Sequence, residues 1–385
     1  MRWIDATFMR GGTSKGLFFR EQDLPGPGPD RDRIFLLALG SPDPFGRQLD
    51  GMGGGLSSLS KVVTVAVLDR PDTDLEYTFG QVAVDAPVVD YSGNCGNLSS
   101  AVVPYALESG LLQLADGPQT VSVFNTNTAK NIRVHLQVRQ GVAEVAGDLS
   151  LPGVAGTGAP IQLEYLQPGG ARTGALLPTA SVRETLSWEG QGYESSLIDA
   201  ANPTVFVRAK DLGILGDELP DQLDGDSALQ ERLEGIRRSG AVAMGMAKDP
   251  QSAPLAVPKI ALVAEPRSGK LLDGTTIDSA SCDLTMRVIS MGQTHRATPG
   301  TTALCAAVAA QLPRSIVHSV LREDIDPQAL RIATPSGVVT AGANVRWSAD
   351  GLPTAEGASL YRTARPLMRG QVALPMEIST NAATG

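Results

Sequence analysis

The chain contains few of the residues that build disulfide frameworks or histidine-rich metal sites. Its 385 residues include three cysteines, Cys95, Cys282 and Cys305, and no C-x-x-C motif. Three cysteines without that spacing do not form a disulfide scaffold. The three histidines, at positions 135, 295 and 318, are far apart in the sequence. We therefore predict no metal site and a protein of a reducing compartment.

Long apolar stretches are missing as well. No run approaches the ~20 residues of a membrane-spanning helix. The opening residues, Met1–Phe8, show none of the apolar character of a secretion signal. These absences predict a cytoplasmic protein that does not contact a membrane.

Basic charge is scarce. The chain has 32 Lys and Arg against 41 Asp and Glu, which gives a net charge of −9 and a pI of about 5.0. Nucleic-acid binding needs concentrated positive charge, so we predict no nucleic-acid partner. A small anionic ligand stays compatible with this balance, because a few local cations and helix ends can bind it.

Glycine and proline are abundant instead. The 42 glycines and 26 prolines make up about 18% of the chain, against about 12% in an average protein. Many turns and a strand-rich body follow, and 385 residues suffice for two hydrophobic cores. We predict an α/β protein with two similar domains, 1–185 and 186–385, in which the final strand can return to the first domain.

Each half has the same predicted layout of strands around one helix of small residues. In the first half, the patterns predict strands at Lys61–Leu68 and Tyr77–Asp85 and a helix from Gly96 to about Gly110. In the second half, the uninterrupted small apolar run Gly300–Leu312 predicts a buried central helix. Residues 165–195 are predicted to be loop-like.

Cys95 is the most informative single residue. Its position after an alternating strand and before a helix predicts a thiol at a helix N-terminus, where backbone N–H groups favour a thiolate. Gly93 and Gly96 would let a ligand approach the backbone closely. Asn94 and Asn97 are interpreted either as helix caps or as amide donors to a carboxylate. The alternative to a functional thiol is a small buried cysteine in a tight turn.

Lys61 ends a loop rich in glycine and serine and begins an apolar strand. Lysines usually lie on solvated surfaces, but the valine-rich run that follows indicates burial nearby. Partial burial favours the neutral amine, which can accept a proton. A thiol and an amine that face one pocket would make a pair of proton carriers without a metal or an organic cofactor.

Two further groups of residues suit the binding of an anion. The segment Arg10–Gly16 lacks the P-loop spacing, but its glycines, hydroxyls and cations are typical of a carboxylate-binding loop or of a hairpin turn. In the second half, Asn202 opens a strand and the helix start near Gly300 offers free N–H groups. Cys305 is interpreted as a core residue of that helix. The predicted substrate-binding residues are Arg10, Gly12, Thr13, Ser14, Ser60, Asn94, Gly96, Asn97, Asn202, His295, Gly300, Thr301 and Thr302.

Several segments together resemble one known family, the PrpF family of 2-methylaconitate cis-trans isomerase, 3-methylitaconate isomerase and 4-oxalomesaconate tautomerase. The matching segments cover nearly the whole chain and include Phe8–Phe19, Gly40–Pro44, Gln48–Gly54, Ser57–Val62, Val89–Ser99, Gly174–Thr179, Asn202–Val207, Pro335–Gly337 and Arg362–Arg365. The resemblance implies the diaminopimelate epimerase fold, with a sheet around a central helix in each domain and an active site in the cleft between domains. It also implies that Lys61 and Cys95 are the acid and base and that Asn202-Pro203 meets the substrate.

The function implied is a cofactor-independent isomerase that moves an allylic proton on a small unsaturated di- or tricarboxylate. The first choice of substrate is 2-methylaconitate, with 4-oxalomesaconate, 3-methylitaconate and aconitate as alternatives. An amino-acid racemase that pairs Cys95 with Cys305 and a non-catalytic carboxylate binder are the other hypotheses. A homodimer is compatible with the sequence but not predicted from any residue pattern.

Overall fold

The computed structural model of the chain describes residues 1–70, 72–91, 95–254, 257–290 and 292–375. The predicted site residue Asn94 and its neighbour Gly93 lie outside the described residues. The helices are α1 (Pro29–Leu39), α2 (Gly96–Ser99), α3 (Val102–Glu108), α4 (Pro220–Asp224), α5 (Ser227–Ala243) and α6 (Gly300–Ala310). Short 3-10 turns span Glu21–Asp23, Ser57–Leu59, Ala209–Leu212, Pro250–Ser252, Ser279–Ser281 and His318–Val320.

Strands make up most of the regular structure. In the first part of the chain they are β1 (Arg2–Gly11), β2 (Ser14–Arg20), β3 (Lys61–Arg70), β4 (Thr73–Val82), β5 (Val89–Asp90), β6 (Gly117–Asn125), β7 (Lys130–Arg139), β8 (Val142–Ala143), β9 (Leu149–Ser150), β10 (Thr157–Gly158) and β11 (Ile161–Leu166). In the second part they are β12 (Glu184–Trp188), β13 (Gln191–Ala200), β14 (Asn202–Arg208), β15 (Lys259–Ala264), β16 (Gly269–Lys270), β17 (Thr276–Ile277), β18 (Leu284–Ser290), β19 (Gln293–Thr294), β20 (Leu330–Thr334), β21 (Gly337–Trp347), β22 (Pro353–Arg362) and β23 (Ala364–Leu374).

The chain forms two compact units. The first unit contains the described parts of 1–150, 154–163 and 362–385, and the second contains those of 151–153 and 164–361. The last strand, β23, pairs with β1 from Arg2 to Gly11 and so belongs to the first unit. The division between residues 185 and 186 stays a prediction of where independently folding domains separate.

The two units have the same strand order and orientation. The first unit runs β23–β1–β2–β3–β4–β6–β7–β8, with parallel contacts only at β2–β3 and β4–β6 among these neighbours. The second runs β12–β13–β14–β15–β18–β20–β21–β22, with parallel contacts only at β14–β15 and β18–β20. Each parallel pair is joined through helices, because a parallel pair needs a crossover connection. These are α1 and then α2 and α3 in the first unit, and α4 and α5 and then α6 in the second. The predicted internal similarity of the two halves is confirmed.

In the first unit, helices lie on both faces of the sheet. On one face, Leu17 and Val62 form a buried cluster with Ile34 and Phe35 of α1. On the other face, Phe18 of β2 packs against Tyr105 of α3, with ring centroids 5.3 Å apart. Alternate residues of a strand point to opposite faces. Residues two apart on β2 or β3 therefore face the same helix, and adjacent residues face opposite sides of the sheet.

In the second unit, α6 is the buried central helix that the sequence predicts. Its residues from Thr302 to Ala310 are all buried, and they pack with Ala261 and Val263 of β15. Ile260 and Leu262 of the same strand point the other way, into a cluster with Leu233 and Ile236 of α5. The small side chains of α6 let the surrounding strands approach the helix closely.

Two expectations about local structure are wrong. The helix expected from Gly96 to Gly110 breaks after Ser99, because Pro104 has no N–H to donate to the carbonyl of Ser100. At the break, the N–H groups of Ser100 and Ala101 bond three residues back instead of four. The stretch 165–195 is also not only loop, since β12 and β13 form a hairpin whose two turn residues, Glu189 and Gly190, have positive φ.

Candidate active site

Lys61 is the first residue of β3 and is only 8% exposed. Its Nζ donates a hydrogen bond to Oε1 of Gln81 over 2.5 Å and lies 4.8 Å from the centre of the Phe79 ring. Gln81 stands directly opposite Lys61 on β4, and Phe79 is two residues earlier on the same face. The amine is therefore held in place by one strand of its own sheet.

The side chain of Lys61 lies on the face of the sheet that carries α2 and α3. Its neighbour Val62 points into the α1 cluster, so Lys61 points to the opposite face. A Cβ at Gly16, beside Lys61 on β2, would lie 2.6 Å from the Lys61 carbonyl oxygen and 3.1 Å from Cδ1 of Leu98. The start of β3 and the start of α2 thus meet at Gly16, where only glycine fits.

Cys95 is the residue that precedes α2, as the sequence predicts, and its thiol is half-buried. The thiol points to Oγ of Ser14, with 4.0 Å between Sγ and Oγ. Ser14 is buried and lies two residues before Gly16 on β2, so both are on the same face of the sheet. Cys95 and Lys61 consequently lie on the same side of the same sheet, next to two residues of one strand.

Asn97 fixes the predicted carboxylate-binding loop. Its Nδ2 donates to Oγ1 of Thr13 over 3.0 Å and to Oγ of Ser14 over 3.5 Å, and its Oδ1 accepts from Nε of Arg362 over 3.1 Å. Gly12, at φ +51°, lies so close to this amide that a Cβ would meet Oδ1 at less than 3.0 Å. Asn97 therefore positions the residues of this loop.

Arg10 is engaged with the backbone of the same loop. Its Nη1 donates to the carbonyl oxygens of Gly12, over 3.1 Å, and of Thr363, over 2.9 Å. Lys15 and Arg365 are its cross-strand partners on β2 and β23. Partial burial, and then the charge of Arg365, lower the pKa of Arg10. Its role as a substrate contact stays a prediction.

The glycine-rich segment before Lys61 wraps around Gln48, a buried residue that the sequence analysis did not single out. Nε2 of Gln48 donates to Oγ of Ser41 and of Ser60, both over 2.7 Å, and its Oε1 accepts from the N–H of Gly55. The Ser60 hydroxyl in turn donates to the carbonyl oxygen of Val82. Ser60 is thus part of the scaffold before Lys61, and its contact with substrate stays a prediction.

The second group of predicted residues lies in the second unit. Asn202 begins β14 and is half-buried. Thr302, in the first turn of α6, is fully buried, and its Oγ1 has no hydrogen-bond partner in the described part of the chain. Burial, and then the charge of Lys259, lower the pKa of His295 to about 4, so its imidazole is neutral at pH 7. Gly300 and Thr301 form the start of α6, where helix N–H groups lack partners within the helix.

The repeated topology shows which residues of the second unit correspond to Lys61 and Cys95. Lys259 begins β15 as Lys61 begins β3. It lies two residues before Ala261, which faces α6, and so is on the same face of the strand. Pro299 precedes α6 as Cys95 precedes α2. The second unit therefore repeats the lysine and not the cysteine.

Cys305 does not have the environment of a second catalytic thiol. It lies inside α6, is fully buried, and its Sγ contacts the carbonyl oxygen of Ile198 at 3.4 Å. Burial raises the pKa of this thiol to about 12. The core position expected from the sequence agrees with this packing.

Sequence reasoning did not single out Gln81 and Gln48, which hold the candidates in place, or the corresponding lysine, Lys259. Gln48 begins one of the matching family segments, whereas Gln81 and Lys259 lie in no motif. The partners of Gln81 and Gln48 are on other strands or loops. A polar residue within an alternating strand was the available signal for Gln81. Among the described residues, no group of three or more His, Cys, Asp or Glu side chains could hold a metal ion, and no described helix is long and apolar enough to cross a membrane.

Comparison with known proteins identifies the family of this chain. A family model described as PrpF protein matches residues 1–375. The 2-methyl-aconitate isomerase of Shewanella oneidensis is 39% identical over 386 residues, which covers 97% of each chain. The crystal structure of methylitaconate-delta-isomerase matches with a TM-score of 0.89 and 38% identity, over 97% of this chain and 96% of the other.

A more distant structure supports the fold alone. A probable proline racemase from Agrobacterium radiobacter K84 matches with a TM-score of 0.50 and 12% identity, over 96% of this chain and 93% of that one. The epimerase-like fold predicted from the sequence is thereby confirmed. With a family match from residue 1 to 375 and a relative that is 39% identical over nearly its whole length, the chain belongs to the PrpF family.

Proposed function

We propose that this isomerase moves an allylic proton on a small unsaturated di- or tricarboxylate, with 2-methylaconitate as the first choice of substrate. The observation that carries the proposal is the placement of Lys61 and Cys95 on one side of one sheet, joined through Gly16 and Ser14. An amine and a thiol can both accept and return a proton, and neither needs a bound cofactor for that step.

The proposed reaction starts with Lys61. Its neutral amine removes a proton from the carbon next to the double bond, and the C–H electron pair spreads through the double bond into the conjugated carboxylate. The former double bond now has single-bond character and can rotate. The thiol of Cys95 then returns a proton, either to the same carbon, which gives cis-trans isomerisation, or to the far allylic carbon, which moves the double bond. Proton exchange with water restores both groups.

The roles of the two groups can also be reversed, with Cys95 as the base and Lys61 as the acid. In that order, the thiolate removes the proton and the ammonium group returns it. Both orders conserve protons and electrons and predict the same products. They differ in which group holds the proton before substrate binds. Because both starting states carry the same total number of protons, the pH dependence of kcat/KM has the same form for both orders.

Charge on the intermediate needs fixed donors, because preorganised hydrogen bonds stabilise a developing anion without reorganisation. In the first unit, we propose the Thr13 and Ser14 hydroxyls and the backbone at Gly96 for this role, with Arg10, Gly12, Ser60 and Asn97 around them. A contact of Asn94 with substrate stays a prediction. In the second unit, we propose Asn202, His295, Gly300, Thr301 and Thr302. The unpartnered hydroxyl of Thr302 supports this choice, since a buried polar group without a partner is costly unless a ligand completes it.

The substrate is a choice among related acids. The relatives named for 2-methylaconitate and for methylitaconate are 39% and 38% identical to this chain, so identity hardly separates them. Our preference rests on the Pro42-Asp-Pro-Phe-Gly46 segment and on Ser57–Ser60, which look closer to the methylaconitate branch. 4-Oxalomesaconate and aconitate are the remaining candidates.

The test is to incubate the purified protein with each acid in deuterated water and to follow the mixture by proton NMR. We expect 2-methylaconitate to interconvert between its cis and trans forms while one allylic position takes up deuterium. Faster conversion of 3-methylitaconate would keep the reaction and replace the substrate. If the protein bound these acids but neither isomerised them nor exchanged a proton, the proposal would be wrong and a non-catalytic carboxylate binder would be favoured.

A racemase that uses two thiols is not favoured by any observation. The position that corresponds to Cys95 in the second unit holds Pro299, and Cys305 is buried in the core. A homodimer and a cytoplasmic location stay predictions. Light scattering after size exclusion would test the first, and fractionation of cells that produce the protein would test the second.

A further inference from the structure

Gln81 has a specific orientation beside Lys61. Its Oε1 accepts from Nζ of Lys61 over 2.5 Å, while its Nε2 donates to the carbonyl oxygens of Ser57, over 3.0 Å, and Ser60, over 2.8 Å. With the amide turned over, its N–H groups would face the amine, and its oxygen would face two carbonyl oxygens. Only the observed orientation pairs every donor with an acceptor, so the backbone before Lys61 determines that an oxygen faces the amine.

The contact presents no full charge to the amine. Lys61 donates to the neutral amide oxygen of Gln81. Asp90 on β5 stands opposite Gln81 on the other side of that strand. The neutral amide therefore occupies the strand position between the amine and that acid. The thiol of Cys95 and the phenol of Tyr77, which contacts Oγ of Ser99 in α2, are also on this face. The ring of Phe79 covers one side of the amine.

We propose that Gln81 is a positioning residue that directs the Lys61 amine and keeps it able to lose its proton. The proposal rests on the proposed function, in which Lys61 exchanges a proton with substrate. An amine has an N–H to donate to Oε1 whether it is charged or neutral, so the same contact holds Nζ through the whole reaction cycle. A glutamate at this position would stabilise the ammonium form by an ion pair and oppose proton removal.

Two substitutions separate the two parts of this role. Gln81→Glu keeps the length of the side chain and adds a negative charge beside the amine. We expect kcat at pH 7 to fall, and the pH at which the rate reaches half its maximum to rise by about one to three pH units. Gln81→Met keeps the bulk but removes the acceptor. We expect kcat to fall by about 10²-fold with little change in KM, because displacing the reacting amine of Lys61 lowers the rate by about that factor.

Gln137→Glu is the matched control. Gln137 is an exposed residue of β7 in the same unit, and this change adds the same charge far along the sheet from Lys61. We expect it to leave kcat, KM and the pH profile at the values of the unaltered protein. A circular dichroism spectrum and a melting temperature for each variant show that the folded state is compared in every case.

A second measurement does not depend on substrate. Reductive methylation modifies only neutral amines, and mass spectrometry of the digested protein reports the modification of Lys61 by itself. We expect modification of Lys61 in Gln81→Glu to begin at a higher pH than in the unaltered protein, and Gln137→Glu to show no difference. If Gln81→Met does not fold, the comparison with Gln81→Glu still decides the proposal.

The outcomes distinguish this inference from the proposed function. If the unaltered protein isomerises substrate and both Gln81 variants keep its kcat and pH profile, the positioning role is overturned and the function stands. If none of the tested carboxylate substrates exchanges a proton with the solvent, the proposed function fails. The methylation experiment then decides by itself whether Gln81 controls the Lys61 amine. An unchanged onset of methylation in Gln81→Glu would overturn the inference in either case.

Discussion

Gly11 and Asn97 are in direct backbone contact, and this contact seats the first loop against the start of α2. A Cβ at Gly11 would lie under 3.0 Å from the carbonyl oxygen of Asn97 and 3.1 Å from Cα of Leu98. Both of these are backbone atoms, which cannot move aside as a flexible side chain can. The contact with Asn97 therefore explains the glycine at position 11, and the positive φ explains the glycine at position 12.

The first prediction concerns this contact. Gly11→Ala should lower the free energy of unfolding by about 1–3 kcal/mol, because the added methyl group overpacks a contact between two backbone segments. Activity should fall as well, since Cys95 and Asn97 move with the start of α2. Gly26→Ala is the control, because a Cβ at Gly26 would have nothing within 4 Å. Chemical denaturation of the two variants checks the difference, and equal stabilities would contradict the contact.

The second prediction concerns the proposed base. Lys61→Met should reduce kcat by about 10²–10⁴-fold, which is the usual contribution of a general acid or base. Uptake of deuterium from solvent into the substrate should fall in parallel. Lys130→Met is the matched control, since Lys130 is an exposed residue at the start of β7 in the same unit. Full turnover in Lys61→Met would remove Lys61 from the mechanism.

The third prediction concerns the three thiols. N-Ethylmaleimide at pH 7.5 should modify Cys95 in the folded protein and leave Cys282 and Cys305 unmodified. Cys95 is half-buried, whereas the other two are fully buried, and burial raises their pKa values. Mass spectrometry of digested samples, taken before and after unfolding in denaturant, locates the label. Modification of Cys305 as fast as Cys95 would show that α6 opens readily and would revive a role for that thiol.

The fourth prediction concerns acid stability. The pKa of His295 is lowered from 6.5 to about 4 in the folded protein, first by burial and then by Lys259. Between these values, the unfolded chain binds more protons than the folded one, so stability increases with pH. Stability should therefore fall as the pH drops from 6.5 towards 4, and His295→Gln should make that fall shallower. Melting temperatures across this range test it, and an unchanged slope in the variant would contradict the assignment.

Local patterns were sufficient for several parts of the fold. The strand that begins at Lys61 and the helix that begins at Gly300 were predicted because their apolar residues follow a regular order over many positions. The N-terminal position of Cys95 on its helix was also predicted, since glycine and asparagine at helix starts have local conformational reasons. The length of that helix was not predicted correctly, although Pro104 was the signal that could have ended it.

By itself, the sequence determined the family and the two similar α/β halves and predicted Lys61 and Cys95 as the candidate pair, because motifs and hydrophobic periodicity are local properties of the chain. Only the tertiary structure decided that Gln81 holds Lys61, that Gln48 supports the loop before it, and that Cys305 is sealed in the core. These relationships join residues that are distant along the chain. Hydrogen bonding and burial depend on which strands become neighbours, and no stretch of sequence contains that information alone.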